Sequence, residues 1–253
     1  MYKNKPVIKI GSNAFSHVHN IIFAKIGDNV ETIKSAAFHT ADEMKELVIG
    51  KNVKNVDRIS FWIDNNLEKV TFKCSNISGA WFGCCDNWKE VIIDSNNEAY
   101  KVEDNIIYSK DGNTLVLCPC GRTGDFIIPN SVEIIEANAF YRSILTSIVI
   151  PDSVETIKNG SISEVSSLQN IIIGKNLSNI TSSSFWHCFS LKMIVVDSNS
   201  IINKCIDLKS CGYLVENVKT IYIHESITDI GSYITSNYIQ TDSDKTGYIK
   251  YIK

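Results

Sequence analysis

Short runs of alternating apolar and polar residues recur along the chain and end on Ile26, Ile49, Phe72, Ile93, Ile128, Ile150, Ile173, Val196 and Ile223. Most successive gaps between these anchors are 21 to 23 residues. An apolar residue follows four positions after an anchor, as at Val30, Val53, Val132, Val154, Leu177 and Ile227, and another seven after, as at Ile33, Val56, Ile135, Ile157, Ile180 and Ile230. Twelve positions after, a large apolar residue follows a small one: Ala37-Phe38, Ser60-Phe61, Ala139-Phe140, Ser161-Ile162 and Ser184-Phe185. The start of the chain keeps the same frame through Val7, Ile10, Ala14-Phe15 and Ile21. Alternation before each anchor predicts a short strand, and the stretch carrying the small-large pair has room for one or two helical or 3₁₀ turns. A unit of this length cannot bury its own apolar face, so the units must stack. The pattern predicts an α/β fold: a right-handed solenoid of about nine units with short parallel strands on its concave face.

Two segments break the period. Ile93 and Ile128 are 35 residues apart, and between them IIYS and TLVL flank a Lys-Asp-Gly-Asn turn, the signature of a β-hairpin. Val196 and Ile223 are 27 apart, with an irregular or helical piece expected from Cys205 to Val218. After Ile223, SNYIQTDSDKTGYIKYIK reads as two Tyr/Ile strands around a polar turn, a C-terminal hairpin cap. The expected organisation is a single domain over 1–253: N-terminal repeats in 1–93, a hairpin insertion in 94–127, central repeats in 128–196, and an irregular segment, last repeat and cap in 197–253.

FIIPNSVEIIEANAF, IVIPDSVETI and YSKDGNTLVLCPCGRTGDFIIP resemble the repeat and the hairpin insertion of the BspA-like leucine-rich-repeat family. The resemblance runs from about residue 6 to residue 234; it departs at NISGAWFGCCDNW, which is short and aromatic. It implies a leucine-rich-repeat fold, adhesion or protein recognition at a cell surface or after secretion, a protein or host-matrix ligand, and no catalytic residues.

Composition narrows the remaining readings. The formal net charge is -3, from 25 basic and 28 acidic residues, with no Lys/Arg cluster to follow a phosphate backbone, so nucleic acid is not an expected partner. No apolar run reaches the roughly 20 residues that span a bilayer, and MYKNKPVIKIGSNAF lacks a signal-peptide pattern. Asn76, Asn159, Asn176 and Asn179 begin Asn-x-Ser/Thr sequons, which matter only in a secretory pathway.

Eight scattered cysteines form no disulfide framework, and free thiols are expected. Cys118 and Cys120 with Cys84 and Cys85 are a candidate thiol or zinc cluster, though they lack the paired Cys-x-x-Cys spacing of a zinc site. Cys85 and Cys188 share one repeat position and are expected in the core. His17-x-His19 sits in a turn segment with no carboxylate nearby, and His39, His187 and His224 stand alone. Gly-x-Ser-x-Gly, His-Glu-x-x-His and phosphate-loop patterns are missing, so no enzyme chemistry and no cofactor or metal are expected.

The strand positions facing away from the core carry the functional reading. One residue before each anchor lie Lys25, Val48, Thr71, Ile92, Ile127, Val149, Ile172, Val195 and Tyr222, of which seven are β-branched. Three before lie Phe23, Glu46, Lys69, Glu90, Asp125, Ser147, Asn170, Met193 and Thr220, a column charged first and then neutral. The bland reading is strand propensity and solvated charge. The functional one is an exposed apolar stripe that binds a protein ligand, with Ile92, Ile127, Val149, Ile172, Val195, Tyr222, Asn170 and Met193 as candidate contacts. Two alternatives are a structural spacer without a selective ligand and a metal or thiol protein built on the cysteines. Because Val7 and Ile10 are already in frame with no polar cap ahead of them, the first unit is expected either to continue a longer array or to self-associate.

Overall fold

The computed structural model describes residues 5–62, 66–83, 85–181, 183–197, 218–227 and 230–253, and divides into two compact units, Met1–Arg122 and Thr123–Lys253. In the first, four parallel strands, Phe23–Lys25, Glu46–Ile49, Lys69–Phe72 and Glu90–Ile93, stack in chain order. The register is the one the repeat frame dictates: Glu46 lies opposite Lys69 and Lys69 opposite Glu90, while Ile49, Phe72 and Ile93 align one below another. A second ladder joins Lys9–Ile10, Thr32–Ile33 and Asn55–Val56, and a third joins Phe61–Trp62 to Phe82–Gly83.

In the second unit, Thr123–Ile127, Ile144–Ile150, Asn170–Ile173, Met193–Val196 and Thr220–His224 form the matching parallel sheet. Ile134–Ile135, Thr156–Ile157 and Asn179–Ile180 form its second ladder. Every one of the nine anchors thus falls at a strand end or one residue from it. The C-terminal hairpin is present: Tyr248–Ile252 pairs antiparallel with both Thr220–His224 and Ile239–Thr241, covering the edge of the last repeat strand and leaving Ile239–Thr241 as the sheet's end.

The insertion holds one strand more than the sequence shows. Ile106–Ser109 and Thr114–Leu117 form the expected hairpin, and Tyr100–Glu103 adds a third antiparallel strand across a turn in which Asp104 and Asn105 both take positive φ. Residues 198–217, with most of the segment expected to be irregular or helical, lie outside the described residues.

Helix is nearly missing among the described residues, which hold one α-helix, Gly231–Asn237, and one 3₁₀ turn, Gly79–Trp81. The α/β label is therefore loose, and the fold is a mainly β solenoid. The cause is visible at residues 138–143. Ala139, Tyr141 and Ser143 donate their N–H groups three residues back, to Glu136, Asn138 and Phe140. Asn138, Phe140 and Arg142 donate instead to Asn159, Ser161 and Ser163 of the next coil. Left-handed backbone at Asn138 and Arg142 permits this alternation and excludes a continuous helix, which needs every N–H for its own chain.

The small-large pair sits on this side and fills the interior. Phe38, Phe61 and Phe82 stack at 5.3 and 5.4 Å between centroids, and Phe61, Phe82, Phe140 and Phe185 are buried. The small partner does more than make room. Ser161 Oγ donates to carbonyls of Lys158 (2.6 Å) and Glu136 (2.9 Å), and Ser60 Oγ to those of Asp57 (2.7 Å) and Lys34 (3.1 Å). Glycine is required where coil corners touch: a Cβ on Gly50 would lie 2.6 Å from the Gly27 carbonyl oxygen.

Candidate functional site

The strands present two outward columns, and the structure treats the candidate residues unequally. On adjacent strands of the second unit, Ile127, Val149, Ile172, Val195 and Tyr222 align in one register, as do Ser147, Asn170, Met193 and Thr220. Ile127 is 70% exposed, while Val149, Ile172, Asn170 and Met193 are half-buried. Val195 and Tyr222 are buried at 2% and 6%, which corrects the expectation that the stripe stays open to its end.

The C-terminal hairpin is the reason at Tyr222. Lys250 sits opposite it in the antiparallel ladder, its hydroxyl donates to Asp244 Oδ1 at 2.6 Å, and the Lys245 and Lys250 ammonium groups lie 5.5 and 5.6 Å from its ring centroid. Donation to the Asp244 carboxylate pushes the Tyr222 phenol above its ordinary range. Val195 packs in register between Ile172 and Tyr222. Ile92 belongs to the first unit, where it is 37% exposed beside Thr71, and its neighbouring column is the charged ladder, with Lys69 Nζ 3.1 Å from Glu90.

The cysteines offer little chemistry. Cys74, Cys85, Cys118, Cys120 and Cys188 are free and buried, and Cys84 lies outside the described residues. Cys85 and Cys188 share a core position and each points its thiol at a carbonyl one coil back, Phe61 at 3.6 Å and Ile162 at 3.0 Å. Burial pushes the Cys188 thiol up to about 12 and Cys74 to about 11, far from the thiolate that nucleophiles and zinc ligands must supply. No group of three metal-type side chains occurs among the described residues.

The histidines are less isolated than the sequence suggests. His19 Nδ1 lies 2.7 Å from Asp42 Oδ1, a carboxylate 23 positions on and therefore one coil away, and this bond holds the Asp42 carboxyl below its usual range. His39 packs edge-on to Trp62 and meets Thr40 Oγ1 at 2.7 Å, and His187 stacks between Trp186 and Phe189. His224 meets the Ser226 hydroxyl at 2.7 Å.

Coils of 21 to 23 residues with parallel strand ladders on separate sides, inward aliphatic and phenylalanine columns and bonded turns in place of helices define a leucine-rich-repeat solenoid. The chain belongs to the BspA type leucine rich repeat family, whose model matches residues 3–111 and 116–242 in six copies. No curated protein matches the sequence. A leucine-rich repeat protein from Eubacterium ventriosum shares the fold at TM-score 0.57 and 19% identity, over 85% of this chain and 63% of that one, so this chain spans less than two thirds of its length. A leucine rich cell surface protein from Faecalibacterium prausnitzii is 21% identical at TM-score 0.40, over 95% of this chain and 87% of that one. The pneumococcal vaccine antigen PcpA is 15% identical at TM-score 0.40, over 78% and 69%. Among the described residues no helix is long and apolar enough to cross a membrane.

Proposed function

We propose that this chain is a non-catalytic recognition module of a bacterial cell surface or of a secreted protein, its repeats acting as one array over 1–253, and that it holds a protein or host-matrix ligand on its strand face. The observation that carries this reading is the row Ile127, Val149 and Ile172, three β-branched apolar side chains on adjacent strands in exact register, the first of them 70% exposed. Water-facing apolar rows on a rigid sheet gain free energy when a partner covers them. Asn170 and Met193, half-buried in the neighbouring column, add an amide and an adaptable thioether beside that row. Family membership supports the surface location and the absence of catalysis.

The test replaces Ile127, Val149 and Ile172 together by Lys. A ligand identified by capture on the immobilised wild-type protein from matrix extracts should bind this variant about tenfold more weakly or worse, with circular dichroism unchanged. Equal affinity in a folded variant would move the site off this face, and capture of no selective ligand would favour a structural spacer.

A further inference from the structure

We infer that the partner element held on the strand face of the second unit is an amphipathic α-helix lying across the strands, its N-terminus at Asp125 and its C-terminus toward the hairpin cap. The assignment rests on that face being the binding surface and names what fits it. The apolar row Ile127, Val149 and Ile172 crosses three neighbouring strands at one register position. Strands lie about 4.8 Å apart, so the row spans roughly 10 Å over two steps. Residues i, i+4 and i+7 of a helix share one face and rise about 10.5 Å. Same-face residues of an extended peptide stand about 6.6 Å apart, so two steps cover roughly 13 Å and fall out of phase with the row. A helix laid along the strands instead would set its apolar stripe over the neighbouring column, which is polar at Asp125, Ser147 and Asn170. Laid across them, it keeps its apolar stripe on the apolar row and its polar flank on Ser147 and Asn170.

The two ends of the row differ in charge. Asp125 is exposed at the first end, where Thr146 Oγ1 donates to its Oδ1 at 3.0 Å. At the far end Val195 and Tyr222 are buried and close the row, and the Lys245 and Lys250 ammonium groups flank the Tyr222 ring. Among the described residues they face the one carboxylate bonded to the Tyr222 hydroxyl, that of Asp244, which Lys250 approaches to 3.5 Å. A helix carries about half a positive charge at its N-terminus and half a negative charge at its C-terminus, so an acid at one end and a lysine pair at the other set its direction. Three strand spacings from Ile127 to Val195 give roughly 14 Å, the length of about ten helical residues.

The probe is a lactam-stapled helical dodecapeptide with Leu at its third, seventh and tenth positions and Ala or Gln elsewhere. It should bind the wild-type protein. A stapled helix with the three Leu spread around it, and a cyclised hairpin with them at alternate positions, should each bind about tenfold more weakly or worse. The Ile127/Val149/Ile172 lysine variant should lose about tenfold or more in affinity for the probe, and Asp125→Lys about two- to fivefold. A nitroxide on the probe's N-terminus should broaden the amide signals of Thr123–Ile127 more than those of Thr220–His224. Failure of the probe to bind, equal binding of either control, wild-type affinity in either variant, or broadening strongest at Thr220–His224 would each overturn the helix. If a ligand captured from matrix extracts loses affinity for the triple-lysine variant while the probe does not bind, the face stands and the helix falls. If neither ligand nor probe responds to the three lysines, both fall.

Discussion

Three residues before the anchors, the first unit carries Glu46, Lys69 and Glu90, aligned across its sheet with Lys69 paired to Glu90. At the same positions the second carries Asp125, Ser147, Asn170, Met193 and Thr220, and two residues further on it places Ile127, Val149 and Ile172 where the first has Val48, Thr71 and Ile92. Behind both faces the inward residues are interchangeable: Leu47, Val70 and Val91 in one unit, Ile148, Ile171 and Ile194 in the other, all buried. Packing and ladder bonds therefore fix every second strand residue, while the residue between answers only to water or to a partner. Two faces of opposite character can be written on one backbone at little cost in stability.

That comparison breaks most readily in the interior. Phe61→Ala in the first unit and Phe140→Ala or Phe185→Ala in the second should each cost about 3–5 kcal/mol, because all three rings are buried and their removal leaves a cavity between coils. Denaturant titration reads the cost, and a loss under about 1 kcal/mol at any one of them would show that the two interiors are not equivalent.

A smaller effect is expected at the small member of the pair. Ser161→Ala removes the hydroxyl that serves the Lys158 and Glu136 carbonyls and should cost about 1 kcal/mol, whereas the matching Ala37 and Ala139 of other coils show that the methyl group itself fits. A neutral Ser161→Ala would mean that these carbonyls need no side-chain donor. The smallest change belongs to the faces. Lys69→Met should shift stability by less than about 1 kcal/mol, since its pair with Glu90 is partly exposed, and salt should erase the difference. A larger, salt-independent loss would assign the charged column a structural part that the apolar column lacks.

What recurs with the coil was legible in the sequence. The nine strand ends, the buried phenylalanines and the core position shared by Cys85 and Cys188 all follow from one offset applied repeatedly. What joins different coils or different kinds of element was not. The His19–Asp42 bond is invisible until residues 23 apart are known to be neighbours. Burial of Tyr222 requires knowing that Lys250 returns opposite it, and alternation alone fixes the faces of the cap strand without fixing its partner. Tyr100–Glu103 lacks the apolar alternation of its neighbours, and the two-residue Asp104-Asn105 turn was the cue to it. The turn side misled because a small-large pair suits a helix and a bonded turn equally well, and only the next coil decides where its N–H groups go.

The shared N–H groups of residues 138–143 have a consequence for how such a chain can change in length. Since alternate amides are committed to the coil that follows, a residue dropped or added inside this turn would leave the row of donors facing the wrong acceptors, although whole coils of 21, 22 and 23 residues are all accommodated. Small length differences are accordingly kept to other parts of the coil, while larger ones let the chain wander off at a corner and come back. The inserted meander is the second kind of event. It leaves after Asp94 and comes back with the Gly121 N–H on the Trp88 carbonyl at 3.0 Å, where a Cβ would lie 2.7 Å from the same oxygen. A corner that admits only glycine is a natural splice point, and a foreign loop grafted between Asp94 and Gly121 inherits a docking place already cut to fit.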